Sequence, residues 1–258
     1  MRITYRNKST KEYWKNRWDK IAVDDEMFSE NDYPLKYALK TIVNKDNSLS
    51  ILEAGCGNGR ILRYFHNRQY DIHGFDYIET AINKLKKIDS TLSLSVNDIM
   101  NTGLQDNFYD VILAFGLFHN FEYKDLKLAL KETSRILKKN GKICLSFRSN
   151  NIQNYLNDFF KNSKKNKKFH KLNLNEFEFK SLLHDNKFQI EEFYYVQNMP
   201  FFYKFKIFRD KDNKEFDENI ARKYGYKLNL IGFFLQKNLM KFLGPMFCNV
   251  YVAICKKY

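Results

Sequence analysis

Cysteine and proline are scarce in this sequence, with four cysteines and three prolines among 258 residues. The cysteines form neither a CxxC pair nor a spacing with histidine that is typical of a zinc site, so we expect no metal centre. Each one lies in an apolar run, which predicts a small core residue. Their positions are Cys56, Cys144, Cys248 and Cys255.

Long hydrophobic runs are also missing. No stretch reaches the roughly 18 apolar residues that a membrane span requires. The opening residues, MRITYRNKSTKEYW, are polar and contain no apolar segment of the signal-peptide type. We therefore expect a reduced, cytoplasmic protein without a transmembrane segment.

Positive charge, by contrast, is abundant. Lysine and arginine total 44 against 30 acidic residues, a formal net charge of +14, while 44% of residues are hydrophobic. This composition predicts a globular protein whose partner is anionic: nucleic acid, an anionic membrane surface or a phosphate-bearing small molecule. The alternative is that the lysines simply cover a solvated surface.

The hydrophobic pattern alternates between strand-like and helix-like segments. Strands are predicted at 50–54, 71–75, 91–96, 108–115, 142–147, 188–196 and 249–255, and helices at 35–43, 61–65, 79–87, 124–139 and 175–185. This alternation predicts an α/β fold with a doubly wound, Rossmann-like, mainly parallel sheet. We expect a single domain with an N-terminal cover (1–34), a core (35–150) and a C-terminal part (151–258) that contains a helical insertion near 200–247. We interpret residues 148–173, which include the basic stretch 161–171, as a mobile insertion, with a binding finger as the alternative.

A glycine-rich turn follows the first strand of the core. Gly55, Gly57 and Gly59 form a GxGxG pattern, and Arg60 stands where a dinucleotide-binding loop would have its next glycine. Glycines at such a turn let a ligand approach the main chain closely. Glu53, at the end of the strand, suits a cationic ligand such as S-adenosylmethionine better than a pyrophosphate.

Acidic residues follow the next two strands. Asp76 ends the second strand, where a carboxylate reaches ribose hydroxyls in this type of fold. Asn97, Asp98 and Ile99 follow the third strand, where the acid can accept from an adenine amino group and Ile99 can pack on the ring. Taken singly, Asp76 could instead be a helix cap and Asp98 a turn residue.

These segments resemble successive motifs of class I S-adenosylmethionine-dependent methyltransferases over residues 35–150. The resemblance implies a seven-stranded sheet that is mostly parallel with a C-terminal antiparallel strand pair, S-adenosylmethionine as cofactor and S-adenosylhomocysteine as product. The cofactor-binding residues that it implies in the core are Glu53, Gly55, Cys56, Gly57, Asn58, Gly59, Asp76, Tyr77, Asn97, Asp98, Ile99 and Phe115.

The N-terminal segment resembles a subset of small-molecule methyltransferases in which a Tyr-Trp…Arg-Trp helix folds over the cofactor. That resemblance implies that Tyr13, Trp14, Arg17 and Trp18 close the site, with an aromatic ring against the sulfonium and Arg17 near the cofactor carboxylate. The alternative is an amphipathic helix that packs Trp14 and Trp18 on the core.

A general base is needed only where the methyl acceptor must lose a proton. His119, just beyond the fourth strand, is the candidate catalytic residue, since its ordinary pKa suits the task. The alternative is that His119 begins a helix or supports another site residue.

The function predicted is methyl transfer to a small anionic acceptor, such as a nucleotide-linked sugar or a phosphate-bearing surface-glycan precursor. A lipid or quinone acceptor is the alternative suggested by a basic, apolar helix at 227–243. A nucleic-acid acceptor is disfavoured because Ala114–Leu117 lacks the Asx-Pro-Pro-aromatic stretch of adenine methyltransferases. A non-catalytic binding subunit is a further alternative. The sequence leaves the acceptor, the methylated atom and the oligomeric state open.

Overall fold

The computed structural model describes residues 1–21, 23, 27, 30, 33–42, 48–159, 168–211, 215 and 225–258. The described strands are β1 (Arg2–Arg6), β2 (Ile51–Ala54), β3 (Ile72–Asp76), β4 (Ser93–Val96), β5 (Tyr109–Ala114), β6 (Leu137–Arg148), β7 (Lys168–Asn173), β8 (Phe188–Val196) and β9 (Val250–Lys257). The described α-helices are α1 (Thr10–Lys20), α2 (Leu35–Thr41), α3 (Arg60–His66), α4 (Glu79–Ile88), α5 (Tyr123–Ile136), α6 (Ile152–Phe159), α7 (Glu176–Asp185) and α8 (Leu230–Phe247). Short 3₁₀ turns lie at Phe118–Asn120, Phe201–Lys204 and Lys206–Phe208.

The central sheet has seven strands in the order β4-β3-β2-β5-β6-β9-β8. Every neighbouring pair from β4 to β6 is parallel, whereas β9 runs antiparallel to both β6 and β8. The predicted mostly parallel sheet with a C-terminal antiparallel pair is therefore confirmed. Because β2 to β6 share one direction, their carboxyl ends meet at a single edge of the sheet, where α/β folds bind ligands. We call this the carboxyl edge.

The core consists of two hydrophobic layers, one on each face of the sheet. Along β5, Ile112 and Ala114 belong to one layer while Val111 and Leu113 belong to the other, as the two-residue period of a strand requires. Strands buried on both faces are almost entirely apolar for this reason. The four cysteines are free and buried, as predicted.

The predicted helix at 124–139 ends earlier than expected. Leu137 takes an extended conformation (φ −76°, ψ 134°), and β6 begins at this residue. Lys138 donates from Nζ to both carboxylate oxygens of Asp110 at 2.8 Å, which holds this segment beside β5. Asn140, at φ +64°, then turns the chain before Gly141, so the Asn-Gly pair marks a bend in β6 instead of the end of a helix.

Residues 148–173 contain more regular structure than the polar sequence predicted. They include α6 and β7, while residues 160–167 of the basic stretch lie outside the described residues. β7 pairs antiparallel with β1 as a separate two-stranded ribbon, in which Arg2 is opposite Asn173 and Arg6 is opposite Lys168. The interpretation of a mobile insertion is therefore wrong for α6 and β7.

The insertion between β8 and β9 contains two 3₁₀ turns and α8 in its described part. α8 is interrupted at Leu243, whose φ of −127° is not helical, and Pro245 follows within the same turn. Among the described residues, no helix is both long and apolar enough to cross a membrane.

Candidate functional site

The glycine loop connects β2 to α3 at the carboxyl edge. Gly55, Gly57 and Gly59 all have positive φ angles, of +70°, +52° and +63°, which side chains other than glycine adopt at a cost. The Cys56 amide donates to the Phe75 carbonyl at 2.9 Å, and this bond fixes the loop against β3. A Cβ atom on Gly57 would lie 2.6 Å from the Trp18 ring, so α1 packs directly on the loop.

Asp76 holds the glycine loop in place. One carboxylate oxygen accepts the Gly57 amide at 3.0 Å, and the other accepts the Ile78 amide at 2.9 Å. Burial raises the pKa of Asp76, and these backbone hydrogen bonds oppose the rise. Each oxygen retains a second lone pair, so the carboxylate can also accept from a ligand hydroxyl.

Glu53 lies below the loop with only 7% of its surface exposed. Its Oε2 accepts the Leu62 amide at 2.8 Å, in the first turn of α3. Burial, with a smaller effect from Asp76, raises the pKa of Glu53 to about 8. A cation bound nearby would favour the ionised carboxylate, so the residues present fit a ligand with an ammonium or sulfonium group.

The segment after β4 is a turn, and its three predicted cofactor-binding residues have different surroundings. Asp98 is exposed, and its Oδ1 accepts the Met100 amide at 2.9 Å. Asn97 donates from Nδ2 to the Thr102 carbonyl at 2.8 Å. Ile99 is buried in the core. Asp98 therefore stabilises the turn, and its binding to adenine stays a prediction.

Other predicted cofactor residues lie around the same edge. Burial raises the pKa of Tyr77 to about 12, and the positive charge of Arg6 is near enough to lower it partly. Phe115 packs edge-on against Tyr33, with ring centroids 5.9 Å apart. Cys56 and Asn58 are buried within the loop.

Helix α1 packs on the glycine loop through Trp18. Its start is fixed by a capping box between Ser9 and Glu12, and its end by Lys84, which donates to the Asp19 and Ile21 carbonyls at 3.1 and 3.0 Å. The helix carries a row of aromatic rings. Trp14 stacks on Trp18 at 5.6 Å, Tyr13 contacts Trp14 edge-on at 5.2 Å, and the Arg17 guanidinium lies 5.9 Å from the Trp14 ring.

His119 lies in the 3₁₀ turn after β5, at the same edge. It is 7% exposed, its ring is edge-on to Phe147 at 6.3 Å, and its Nδ1 is buried without a hydrogen-bond partner. Burial, followed by the charges of Lys171 and Arg148, lowers the pKa of His119 well below its ordinary value. The imidazole is thus neutral at physiological pH and has a nitrogen free to bind a ligand.

A group of basic residues that sequence reasoning missed lies near His119. We call Arg6, Arg148 and Lys171 the cation cluster, and His170 lies next to it. Burial lowers the pKa of Lys171 to about 7, and the charges of Arg148 and Arg6 lower it as well. Burial and the Lys171 charge lower the pKa of His170 to about 3.

The cation cluster is only partly neutralised. Asp158 accepts two hydrogen bonds from Arg148, at 2.8 and 3.0 Å, and also pairs with Arg2 at 2.8 Å. Within the described part of the chain, no carboxylate forms an ion pair with Arg6 or Lys171. All three guanidinium nitrogens of Arg6 are buried without hydrogen-bond partners, while its Cζ lies 4.1 Å from the Tyr13 ring centre. Buried cations with unused donors fit a bound anion.

The cation cluster was invisible in the sequence because its members come from distant strands. Arg6 lies in β1 and Lys171 in β7, and only the antiparallel ribbon brings them together. The alternating pattern of residues 2–6 was the one available signal for β1. Among the described residues, no group of histidine, cysteine or acidic side chains could hold a metal ion.

Known proteins match the part of the chain that builds the glycine loop and its neighbours. Residues 52–145 match a family model described as a methyltransferase domain. An uncharacterized methyltransferase of Schizosaccharomyces pombe is 28% identical over 138 residues, which cover 52% of this chain and 54% of that protein. A Mus musculus protein named "Probable tRNA methyltransferase 9B" is 29% identical over 100 residues, covering 37% of this chain and 21% of the relative. The chain thus spans about half or less of the length of these relatives.

Solved structures share the fold over most of the chain. A methyltransferase of Archaeoglobus fulgidus that depends on S-adenosylmethionine has a TM-score of 0.58 at 16% identity, covering 86% of this chain and 93% of its own. One from Methanosarcina mazei has a TM-score of 0.57 at 17% identity, covering 88% and 98%. At these identities the likeness establishes the fold.

Proposed function

We propose that this protein, whose residues 52–145 match a family model described as a methyltransferase domain, is an S-adenosylmethionine-dependent enzyme that methylates a small acidic metabolite, such as a nucleotide-linked sugar or a phosphate-bearing surface-glycan precursor. The observation that supports an acidic acceptor is the cation cluster beside His119. Arg6 and Lys171 bring positive charge to the carboxyl edge without a carboxylate partner in the described residues. An acceptor with a phosphate or carboxylate group would supply that partner.

The protein's main role in this reaction is to bind the cofactor and the acceptor and to align them. S-adenosylmethionine, when bound, supplies an electrophilic methyl group, and S-adenosylhomocysteine is the product. Asp76 and the glycine loop would hold the ribose and amino-acid portions, while Glu53 would favour the cationic portions. Trp18 packs on the loop and Trp14 stacks on Trp18, so this cover would limit the access of water to a bound cofactor. Alignment of nucleophile and methyl carbon supplies most of the catalytic effect in such a displacement.

His119 would accept the proton that the acceptor's hydroxyl or amine loses. In the protein alone, burial and, after it, the nearby Lys171 and Arg148 charges keep the pKa of His119 low, which makes it a weak base. An anion bound by the cation cluster would offset those charges and raise the pKa of His119 by the part that they contribute. Binding of an acidic acceptor would thereby strengthen the base that acts on it.

The test measures S-adenosylhomocysteine formation with phosphorylated metabolites and with their dephosphorylated counterparts. We expect turnover of the acidic forms only, and we expect Lys171→Met to raise their KM by about tenfold or more, the typical effect of losing one hydrogen bond to a charged group. Lys86→Met, at an exposed position on α4, is the matched control. Equal KM values for Lys171→Met and Lys86→Met, or a preference for the neutral compounds, would contradict the proposal.

Transfer RNA is the second candidate acceptor, because one relative is named as a tRNA methyltransferase and the chain has a net charge of +14. A nucleic-acid acceptor predicts binding that weakens steeply with salt, since each phosphate contact releases counterions. Titration of tRNA at increasing salt, with methyl incorporation as the second readout, separates the two candidates.

A further inference from the structure

Helix α6 buries its polar side and exposes its apolar side, which is the reverse of an ordinary surface helix. Its polar residues Gln153 and Asn154 are fully buried, whereas its apolar residues are exposed, Phe159 to 64%. A surface helix of a globular protein normally places its apolar side toward the core. The exposed apolar residues of α6 are Ile152, Tyr155, Leu156 and Phe159.

Helix α8 repeats this arrangement. It packs inward through Gly232 and Gln236: a Cβ on Gly232 would lie 2.7 Å from the Phe208 carbonyl oxygen, and Gln236 accepts the Phe202 amide at 3.1 Å. Its large apolar residues point outward, with Leu230 exposed to 89%. The exposed apolar residues of α8 and the preceding turns are Phe205, Ile207, Leu230, Ile231, Phe233, Phe234, Phe242, Leu243 and Met246.

The two helices are joined at one end. Asn151, which immediately precedes α6, donates from Nδ2 to the Pro245 and Cys248 carbonyls at 3.0 and 2.8 Å. We call the exposed apolar side chains of α6, α8 and the 3₁₀ turns the apolar face. An exposed surface of so many large apolar groups marks an interaction site in a folded protein.

Positive charges outnumber negative ones next to the apolar face. Lys237 and Lys241 are exposed among its phenylalanines, and residues 197–209 and 225–258 contain no aspartate or glutamate. The acidic residues of the insertion are confined to residues 210–218, where Glu215 pairs with Lys206. A second copy of the chain would bring like charges together across this face, whereas an anionic surface would be attracted to them.

We propose that the apolar face docks on an anionic lipid bilayer, with α8 lying in the membrane interface. Phenylalanine and leucine side chains beside lysines are the combination that binds helices to such interfaces. The placement favours this use, because β6 ends at Arg148 and β9 begins at Val250, opposite each other at the carboxyl edge. The insertion that contains α8 therefore leaves the sheet at the edge where the glycine loop and the cation cluster lie.

The test is cosedimentation of the purified full chain with vesicles of phosphatidylcholine alone or mixed with phosphatidylglycerol. We expect binding to the mixed vesicles that falls with salt, and much weaker binding to phosphatidylcholine. Lys237→Gln with Lys241→Gln should weaken binding to the mixed vesicles by roughly 30-fold, since each lysine near an anionic surface contributes about a factor of five.

A second variant tests the apolar contribution. Phe233→Ser with Phe234→Ser should lose binding to the mixed vesicles, whereas Phe177→Ser, at an exposed position on α7, is the matched control and should bind like the wild type. Thermal melting checks that each variant is folded. Absence of vesicle binding by the wild type, or unchanged binding by both double variants, would overturn the proposal. A dimer that forms without vesicles and dissociates in Phe233→Ser with Phe234→Ser would also overturn it, by assigning the face to a second copy.

Discussion

The buried carboxyl group of Glu53 allows a quantitative prediction for Glu53→Gln. Glutamine retains an oxygen that can accept the Leu62 amide at the 2.8 Å position, but it has no proton to lose. In wild type, burial raises the pKa of Glu53 from 4.5 to about 8 in the folded chain. The folded state therefore holds this proton more tightly than the unfolded state does. The stabilisation from the proton is complete below pH 4.5 and is lost as the pH rises through 8.

The magnitude follows from the two pKa values. Between pH 5 and pH 8 the unfolded chain has already released the proton of Glu53, while the folded chain still binds it over most of this range. The wild type should lose about 3 kcal/mol of unfolding free energy from this group over the interval, at 1.4 kcal/mol per unit of pKa difference. Glu53→Gln has no such dependence, so its stability relative to wild type should rise by the same amount.

Urea unfolding at several pH values between 5 and 8 measures this difference, because all other titrating groups are shared by the two proteins. Glu122→Gln, at an exposed position, is the control and should follow the wild type. Parallel stability curves for the wild type and Glu53→Gln would refute the reasoning. A linked expectation is that affinity for S-adenosylmethionine rises with pH toward 8 in wild type and not in Glu53→Gln, since a bound cation favours the ionised carboxylate.

Three further predictions concern the loop, its cover and the base. Asp76→Ala removes the acceptor of the 3.0 Å and 2.9 Å hydrogen bonds and should weaken S-adenosylhomocysteine binding by about 1–3 kcal/mol in calorimetry; unchanged affinity would count against the loop assignment. The chain's two tryptophans both lie on α1, so intrinsic fluorescence should change when S-adenosylhomocysteine binds. Trp14→Phe should keep this response and Trp18→Phe should lose it, because Trp18 contacts Gly57; the reverse pattern would exclude that contact as the source. His119→Ala should lower kcat by about 10²–10⁴-fold if it is the base, with little effect on cofactor affinity; equal kcat would rule the base role out.

Much of the fold was predictable because local signals agree with it. Apolar strands that end in glycine or acidic residues, each followed by a helical pattern, predict a parallel sheet whose polar residues meet at one edge. Asp76 accordingly accepts the Gly57 amide of the glycine loop, and Glu53 accepts the Leu62 amide of the helix that follows the loop. These residues lie at the ends of neighbouring strands of one sheet, and the order of strands and helices along the chain already restricts which strands can be neighbours.

The cation cluster could not be predicted, because long-range pairing decides it. The sequence near Arg6 and Lys171 looks polar and unremarkable, and their proximity depends on the β1–β7 register. Helix α6 was missed for a related reason, since its buried side holds Gln153 and Asn154 where a helical pattern would have apolar residues. Tertiary hydrogen bonds, such as that from Asn154 Nδ2 to the Asn249 carbonyl at 2.9 Å, stabilise α6 in place of apolar contacts.

The β1–β7 ribbon also sets the order in which the two halves of the site can form during synthesis. The glycine loop, Asp76 and His119 all come from residues that are contiguous in the chain, so this half needs only the segment from β2 to the turn after β5. Arg6 leaves the ribosome before the glycine loop does, but β1 has to wait for β7, whose Asn173 donates to the Arg2 carbonyl across a separation of 171 residues. Contacts of such long separation form late because closing the loop between them is costly. A nascent chain can therefore form the half with the glycine loop first, and β1 pairs with β7 later to complete the cation cluster.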